Sequence, residues 1–382
     1  QGISLGEETS IEKEILRIQR IVHSRGENPT AVAHLVQLSK DLDKAVGAKL
    51  FRSLADDYLQ SGMYDQAGRV LQELVLQYAE QPIAQDGLLT LMQLYSSSEV
   101  IHCRQKLSKI GDVKSSAASA LKFARQKLLQ QPGWSENAAI NFQCSVSARL
   151  SGVSGQGWLT SLKHNTRSQP WNHRAKAEDW LEEQSANNSP KQLITCGTTS
   201  IRPHLDGVLD ELMWQSTGNA VIAPTENNQS IGYVKIQLLR DDDFLYMAIR
   251  CRKSSDHQYL IDNTPRSHDA DLSKHDHVHI QLDVDRDYFS AFQLSVDQRG
   301  QTADRCWLDR SWNPQWYVAS RHEKSHWTIE AAIAWEELTA QAPQAGEAWA
   351  LSLQRLLPST EPQSWAGGTE TIKDHFGLVI FE

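Results

Sequence analysis

The stretch HDHVHIQLDVDRD, residues 275–287, alternates histidines and then aspartates with other residues. On a strand, alternate side chains share a face, so His275, His277, His279, Gln281 and Asp283 project one way and Val278, Ile280, Leu282 and Val284 the other. Such a face has several uses. Histidines ligate transition metals, although neighbours on one strand face stand roughly 6.5–7 Å apart, which suits two ligands better than three. The carboxylates of Asp283, Asp285 and Asp287 are hard oxygen donors of the kind calcium takes. An EF-hand is excluded, because its sixth and twelfth positions fall on Tyr288 and Leu294 where Gly and Glu are needed. The same face also serves as one wall of a small-molecule site, or as an ordinary polar exterior with acids that favour the turn after the strand.

Aromatic residues form a second constellation. The segment CWLDRSWNPQWY places Trp307, Trp312, Trp316 and Tyr317 within a dozen residues, and QSWAGG places Trp365 in a loop. Flat rings stack on sugar faces while polar groups meet the hydroxyls, so Trp312, Trp316 and Trp365 are candidate cleft residues. Arg355, closing WALSLQR, is a candidate partner for a hydroxyl or carboxylate, or else one half of a structural ion pair. No nucleophile elbow, phosphate loop or HExxH occurs. A glycosidase carboxylate pair is defined by separation in space and not by sequence. Glu330 in TIEAAI reads as structural, and the chain reads as non-catalytic. Met213, Met247 and the histidines offer haem ligands, but no CxxCH accompanies them and Met247 falls in a patterned core strand.

The chain has 382 residues, enough for two domains that each bury a core. The net charge is −9, unevenly spread: from Ser200 onward 27 acidic residues face 16 basic ones, while the remainder carries 20 and 22. An acidic second half and a first half without a basic stripe argue against nucleic-acid binding. No apolar run is long enough to span a bilayer. The five cysteines show no CxxC spacing, and Cys251 and Cys306 are a candidate pair only if their strands are neighbours. The sequence opens on Gln rather than Met, which leaves room for a removed signal peptide or anchor. The expected address is extracytoplasmic, periplasmic, cell-surface or secreted.

Residues 1–185 read as helices. Apolar residues recur at helical spacing in SIEKEILRIQRIVHS, NPTAVAHLVQLSKDL and SSAASALKFARQKLLQQPGW, and HRAKAEDWLEEQSA closes the half. Between them, AKLFRSLADDYLQSGMYDQAGRVLQELVLQYAEQP predicts two helices joined by a turn at Ser61–Gly62. Ala55, Tyr58, Gly62, Tyr64, Ala67, Leu71, Leu74 and Pro82 resemble a tetratricopeptide repeat, with degenerate neighbours, so an irregular helical array for protein contacts is expected, or else a plain helical hairpin. Residues 147–169, rich in Ser and Gly, predict loop or short helices. A polar linker is placed at 186–200.

From residue 201 the grammar changes to alternation. VKIQLLRDDDFLYMAIRCR gives two runs around an acidic turn, and DHVHIQLDVD, YFSAFQLSVDQRG, WTIEAAIAW and WALSLQRLL follow. The fold class expected is therefore multidomain, a helical repeat-like array followed by an antiparallel β-sandwich over 201–382. Leu205 and Leu209, flanking Asp206–Gly207, are expected to anchor the first strand. Trp214, Trp335 and Trp349 are expected in the core.

In order and spacing, RPHLDGVLDELMW, DDDFLYMAIRC, HDHVHIQLDVD, WTIEAAIAWEEL, WALSLQR and FGLVIFE are similar to the pattern of family 9 carbohydrate-binding modules and the related DOMON sandwiches. The resemblance covers 201–382 only. It implies a β-sandwich that binds a glycan on the polar face of the HDHVHI strand, with calcium sites among family members. His279 stands where the family usually has a ligand-bonding Glu, and Gln293 and Ser295 stand near the positions of an Arg and an Asn. The two ligand-clamping tryptophans are replaced, by Ser273–Lys274 and by Ile372–Lys373. The expected function is non-catalytic carbohydrate binding by the sandwich, with a protein partner for the helices. The alternative is a structural protein whose sandwich has lost its sugar.

Overall fold

The computed structural model describes residues 30–107, 112–164, 169–183, 188–223, 232–259, 267, 269–367 and 375–382. The first predicted helix, in SIEKEILRIQRIVHS, lies outside them, as do Ile372 and Lys373. The chain clusters into two compact units. Among the described residues one holds 30–97, 112–153 and 308–311, and the other holds the rest.

In the first unit, α1 (Thr30–Leu38), α2 (Lys44–Gln60), α3 (Tyr64–Gln77) and α4 (Ile83–Ser96) follow one another. α5 (Ser98–Leu107) belongs to the other unit, and α6 (Val113–Gln130) and α7 (Ala138–Leu150) then return to pack on α4. Side-chain caps start three of these helices: Asp43 accepts from the amides of Ala45 and Val46, Asp112 from Ser115, and Asn137 from Ala139 and Ile140. The α2–α3 hairpin forms where the spacing predicts it. Gly62 turns the chain with φ +68, and Ala55, Tyr58, Ala67, Leu71 and Leu74 are buried between the helices.

The second unit is built on strands β1 (Leu193–Thr198), β2 (Asn219–Ile222), β3 (Val234–Arg240), β4 (Phe244–Arg252), β5 (His277–Asp283), β6 (Phe292–Asp297), β7 (Thr302–Cys306), β8 (Trp316–His322), β9 (His326–Ala334), β10 (Ala348–Leu356), β11 (Gln363–Ser364) and β12 (Gly377–Phe381). One layer runs β7-β6-β5-β10-β12-β1 and the other β1-β3-β4-β9-β8, with β11 on β10 and β2 on β3. β1 serves both layers. Leu193–Cys196 pair with β12, and Gly197 and Thr198 pass to β3, both in parallel. The sheet is therefore mixed, and two features differ from expectation. β1 lies inside the segment expected as a linker, and α5, α8 (Gln156–Lys163) and α9 (Gln169–Glu182) cluster with the strands although they precede residue 185.

Alternation sets the core of the first layer: Val278, Ile280, Leu282, Leu294, Val296, Leu351 and Leu353 are all buried. β4 and β9 are buried on both faces, as strands covered on both sides must be. Their cover is the segment 202–214, which forms no strand. Leu205 and Leu209 pack beside Trp214 and Tyr246. Glu330 accepts from the amides of Asp206 at 3.1 Å and Gly207 at 2.9 Å and from Trp214 Nε1 at 3.1 Å, which gives this carboxylate its structural role. Gly207, at φ +82, has no room for a side chain: a Cβ would stand 2.9 Å from the Ser320 backbone. Trp214, Trp335 and Trp349 are buried as expected.

One ion pair ties the layers together. Arg355 of β10 meets Asp276 bidentately, at 2.8 and 2.6 Å, and donates to the carbonyls of Gly232 at 2.8 Å and Arg252 at 2.9 Å. Asp276 also accepts from Tyr259 Oη at 2.8 Å and Trp327 Nε1 at 2.9 Å. Both partners are wholly buried. Removing one side of such a pair strands the other charge, so Asp276→Ala is expected to cost about 3–5 kcal/mol in urea unfolding. A loss under about 1 kcal/mol would contradict the role given to it.

Candidate functional site

Parity places His277, His279 and Gln281 of β5, Gln293 and Ser295 of β6, and Gln354 and Leu356 of β10 together on the outer face of the first layer. At one end of this face lies a groove of about 420 Å³ lined among others by Asp271, Ser273, His277, Ser295, Leu356 and Thr360. That volume falls within the range of small-ligand sites. The polar groups come from β5, β6 and the loop before β5, and the loop after β10 supplies an apolar wall. Asp271 accepts from the Ser273 amide at 3.0 Å, and its bonds to Ser273 hold its carboxyl below the ordinary value. His279 Nδ1 lies 2.8 Å from Ser295 Oγ, and its Nε2 lies 2.9 Å from Gln281 Nε2. Burial, with Arg305 and His277 nearby, pushes the His279 ring down to about 4.

The other end of β5 runs into a carboxylate cluster. Oxygens of Glu99, Asp283 and Asp285 lie within 4.8 Å of one another, all three residues being buried, and Asp287 adjoins them. Backbone amides shape the cluster. Glu99 accepts from Val284 at 2.5 Å, Asp285 from Ser98 at 2.6 Å, Asp283 from Tyr288 at 2.6 Å, and Asp287 from Ser290 at 2.6 Å. Arg286 and Tyr288 adopt left-handed backbone, with φ 54 and 58, and both side chains bond to Glu178 of α9. The Arg286 guanidinium is thereby held on Glu178. Burial first, and then mutual repulsion, raises Glu99 and Asp283 well above the ordinary carboxylate range and Asp287 to about 7. Two oxygens on opposite sides of a calcium ion stand about 4.8 Å apart at ligand distances near 2.4 Å, and an all-oxygen donor set suits that ion.

No family model matches the sequence, and no curated protein does. Among solved structures, half of this chain is similar to a family 9 carbohydrate-binding module from Caldicellulosiruptor kristjanssonii. The form in complex with cellotriose is 17% identical, with 94% of that chain covered and a TM-score of 0.36. The form in complex with glucose is 17% identical, with 96% covered and a TM-score of 0.35.

The residues singled out from sequence divide between these places. Asp283, Asp285 and Asp287 come together, although Asp283 is buried and not on an open face. Glu99 and Glu178 were not foreseen, because nothing in SSSEVIH or AKAEDW marks a partner nearly two hundred or a hundred residues away. His279 and Gln293 share the outer face, where Gln293 bonds to the Trp307 carbonyl at 3.3 Å and to Arg305 at 2.7 Å. Ser273 lines the groove. The other expected ligand residues are placed differently. Trp312 is buried with its ring 4.8 Å from that of Phe292, and Trp316 is buried with Nε1 bonded to Asp304 at 3.1 Å. Trp365 is half-buried, and a Cβ on Gly377 would stand 2.7 Å from its ring. Arg355 is spent on Asp276. Both ring nitrogens of His279 are engaged, so it is not presented as a metal ligand. Met247 is buried in β4. No disulfide joins Cys251 and Cys306, both of which are buried.

The cluster makes a pH prediction. A carboxyl raised in the folded state favours its protonated form, so its contribution is intact below 3.8 and lost as pH climbs through about 7. With divalent cations chelated, Asp287→Asn is expected to relieve part of that loss while keeping the turn's acceptor. Its melting temperature relative to wild type should rise by a few degrees between about pH 4 and pH 8. A gap independent of pH would show that the cluster is not under charge repulsion.

Proposed function

We propose that the strand-built unit is a non-catalytic carbohydrate-binding module, taking a glycan end in the groove beside His277 and Ser295. The observation that carries the reading is the groove itself: polar side chains of β5, β6 and the loop before β5 converge there on one apolar wall. Among the described residues its lining contains no Trp, Tyr or Phe, so recognition rests on hydrogen bonds and the Leu356–Pro358 wall in place of ring stacking. Calcium belongs to the same reading, held by Glu99, Asp283 and Asp285 with Asp287 adjoining. Its charge would offset the repulsion among these acids and fix the loop that follows β5. The helical unit would meet a protein partner; Leu76, Leu129 and Val153 are its exposed large apolar side chains among the described residues. An extracytoplasmic address accompanies glycan and calcium binding.

A second reading has its own observation. Seven of the eight tryptophans from Trp214 onward are buried and Trp365 is packed on Gly377, which fits a structural protein whose sandwich has lost its sugar.

A glycan array followed by calorimetry, with calcium present, separates the two. The module reading expects binding of at least one neutral glycan, weakened about tenfold by His277→Ala without a change in melting. Failure of every glycan to bind selects the structural reading. For the cation, calcium at about a hundredfold over Kd is expected to stabilise the protein by about 2.7 kcal/mol, reversibly with chelator, and Asp285→Asn is expected to abolish the effect.

A further inference from the structure

We propose that Gln281, His279 and Ser295 form a hydrogen-bond chain of fixed direction that makes the Ser295 hydroxyl a donor into the groove, so that the groove reads the hydroxyls of an uncharged sugar ring. The ligand class rests on the module reading above; the direction of the chain does not.

The direction follows from what each atom is able to do. An amide nitrogen only donates, so Gln281 Nε2, 2.9 Å from His279 Nε2, must give its proton to that ring nitrogen. His279 Nε2 is then a bare acceptor, and the ring carries its single proton on Nδ1. Burial of the ring keeps it neutral at ordinary pH. Nδ1–H donates to Ser295 Oγ at 2.8 Å. Having accepted there, Ser295 turns its own O–H elsewhere, and its side chain opens on the groove. Gln281 thus acts on the groove from two residues away as a positioning residue.

Of the remaining polar groups, His277 and Asp271 supply acceptors, and Ser273, Ser359 and Thr360 add hydroxyls, that of Thr360 donating to the Leu357 carbonyl at 2.9 Å. His277 Nδ1 lies 2.8 Å from the carbonyl oxygen of His275, which cannot donate, so Nδ1 holds a proton there, and in the tautomer this selects Nε2 is the accepting nitrogen. Asp271 is a carboxylate. His277 and Ser295 are diagonal neighbours across β5 and β6, roughly 7–8 Å apart, a separation suited to contacting both sides of one sugar ring. Each sugar hydroxyl both donates and accepts, and so can satisfy either kind of group. None of the described lining residues is Lys or Arg, and Asp271 is negative, so a uronate carboxylate is disfavoured.

Two measurements test the chain separately from the ligand. Long-range ¹H–¹⁵N correlation on histidine-labelled protein near neutral pH is expected to show His279 protonated on Nδ1 alone. Protonation on Nε2 overturns the proposal. Gln281→Leu should mix the tautomers while the melting temperature holds, and an unchanged tautomer removes Gln281 from the role. Calorimetry with galactose, glucose, cellobiose and galacturonate then reads the ligand class. Ser295→Ala is expected to weaken neutral-sugar binding about tenfold, Ser295→Thr to restore it, and galacturonate to bind more weakly than galactose. Equal binding of galactose and galacturonate, or no effect of Ser295→Ala, overturns the specificity. If none of these sugars binds while His279 shows the expected tautomer, the module reading and the ligand class fall together and the direction of the chain stands.

Discussion

The second unit depends on the buried pair between Arg355 and Asp276. Desolvating two charges is expensive and is offset only when nearly every donor and acceptor is matched. Here the guanidinium meets two carboxylate oxygens and two backbone carbonyls, and the carboxylate also takes a tyrosine and a tryptophan donor. The partners lie in the loops and strands of both layers, so the pair fixes how the end of β10 and the start of β5 meet β4 and β9. Its effect on the surface follows from parity. The residue after Asp276 is His277 and the residue after Arg355 is Leu356, and these two are cross-strand partners on the opposite face. The interior ion pair and the polar and apolar walls of the groove are thus two sides of one register. A slip of one residue would bury His277 and expose the charges.

β5 carries that logic along its length. It begins beside the ion pair and ends in the carboxylate cluster, seven residues away. The two charged places have opposite electrostatics. At the first, each charge has its counterpart within the chain. At the second, acids face acids, the neighbouring Arg286 is engaged by Glu178, and the cost appears as carboxyls raised far from their usual range. Left-handed backbone at Arg286 and Tyr288 turns amides onto Asp283 and Asp287, supplying partial positive charge but no full one.

Much of this was legible in the sequence, for a definite reason. Side-chain parity on a strand is local, so HDHVHIQLD was enough to put Val278, Ile280 and Leu282 inside and His277 and His279 outside, and the apolar settings of Trp214, Trp335 and Trp349 were enough to bury them. Coverage is not local. Trp312 and Trp316 look like cleft residues in a loop-like, polar stretch, but Phe292 and Asp304 close over them, and only the fold brings those neighbours in. β1 escaped because six residues, LITCGT, sit between polar flanks and gain their place through parallel pairing with strands more than forty and more than one hundred and seventy positions away. Glu99 escaped for the same reason: a carboxylate in the first turn of a helix is an ordinary helix feature, and its three acidic companions begin 184 residues later.

On the proposed reading, the described lining of the groove would acquire specificity without Trp, Tyr or Phe. Hydroxyls on a protein surface are free rotors, and a free rotor discriminates poorly because it adapts to donor or acceptor alike. Anchoring one end of a chain of polar side chains on a group with a single polarity removes that freedom link by link. The amide nitrogen of Gln281 has one polarity, the neutral imidazole of His279 passes it on, and Ser295 inherits it. The low-dielectric setting that strips His279 of its second proton also strengthens each bond in the chain. Direction, and not the count of polar groups, is what the outer face of this layer adds to a shape that by itself would accept many small molecules.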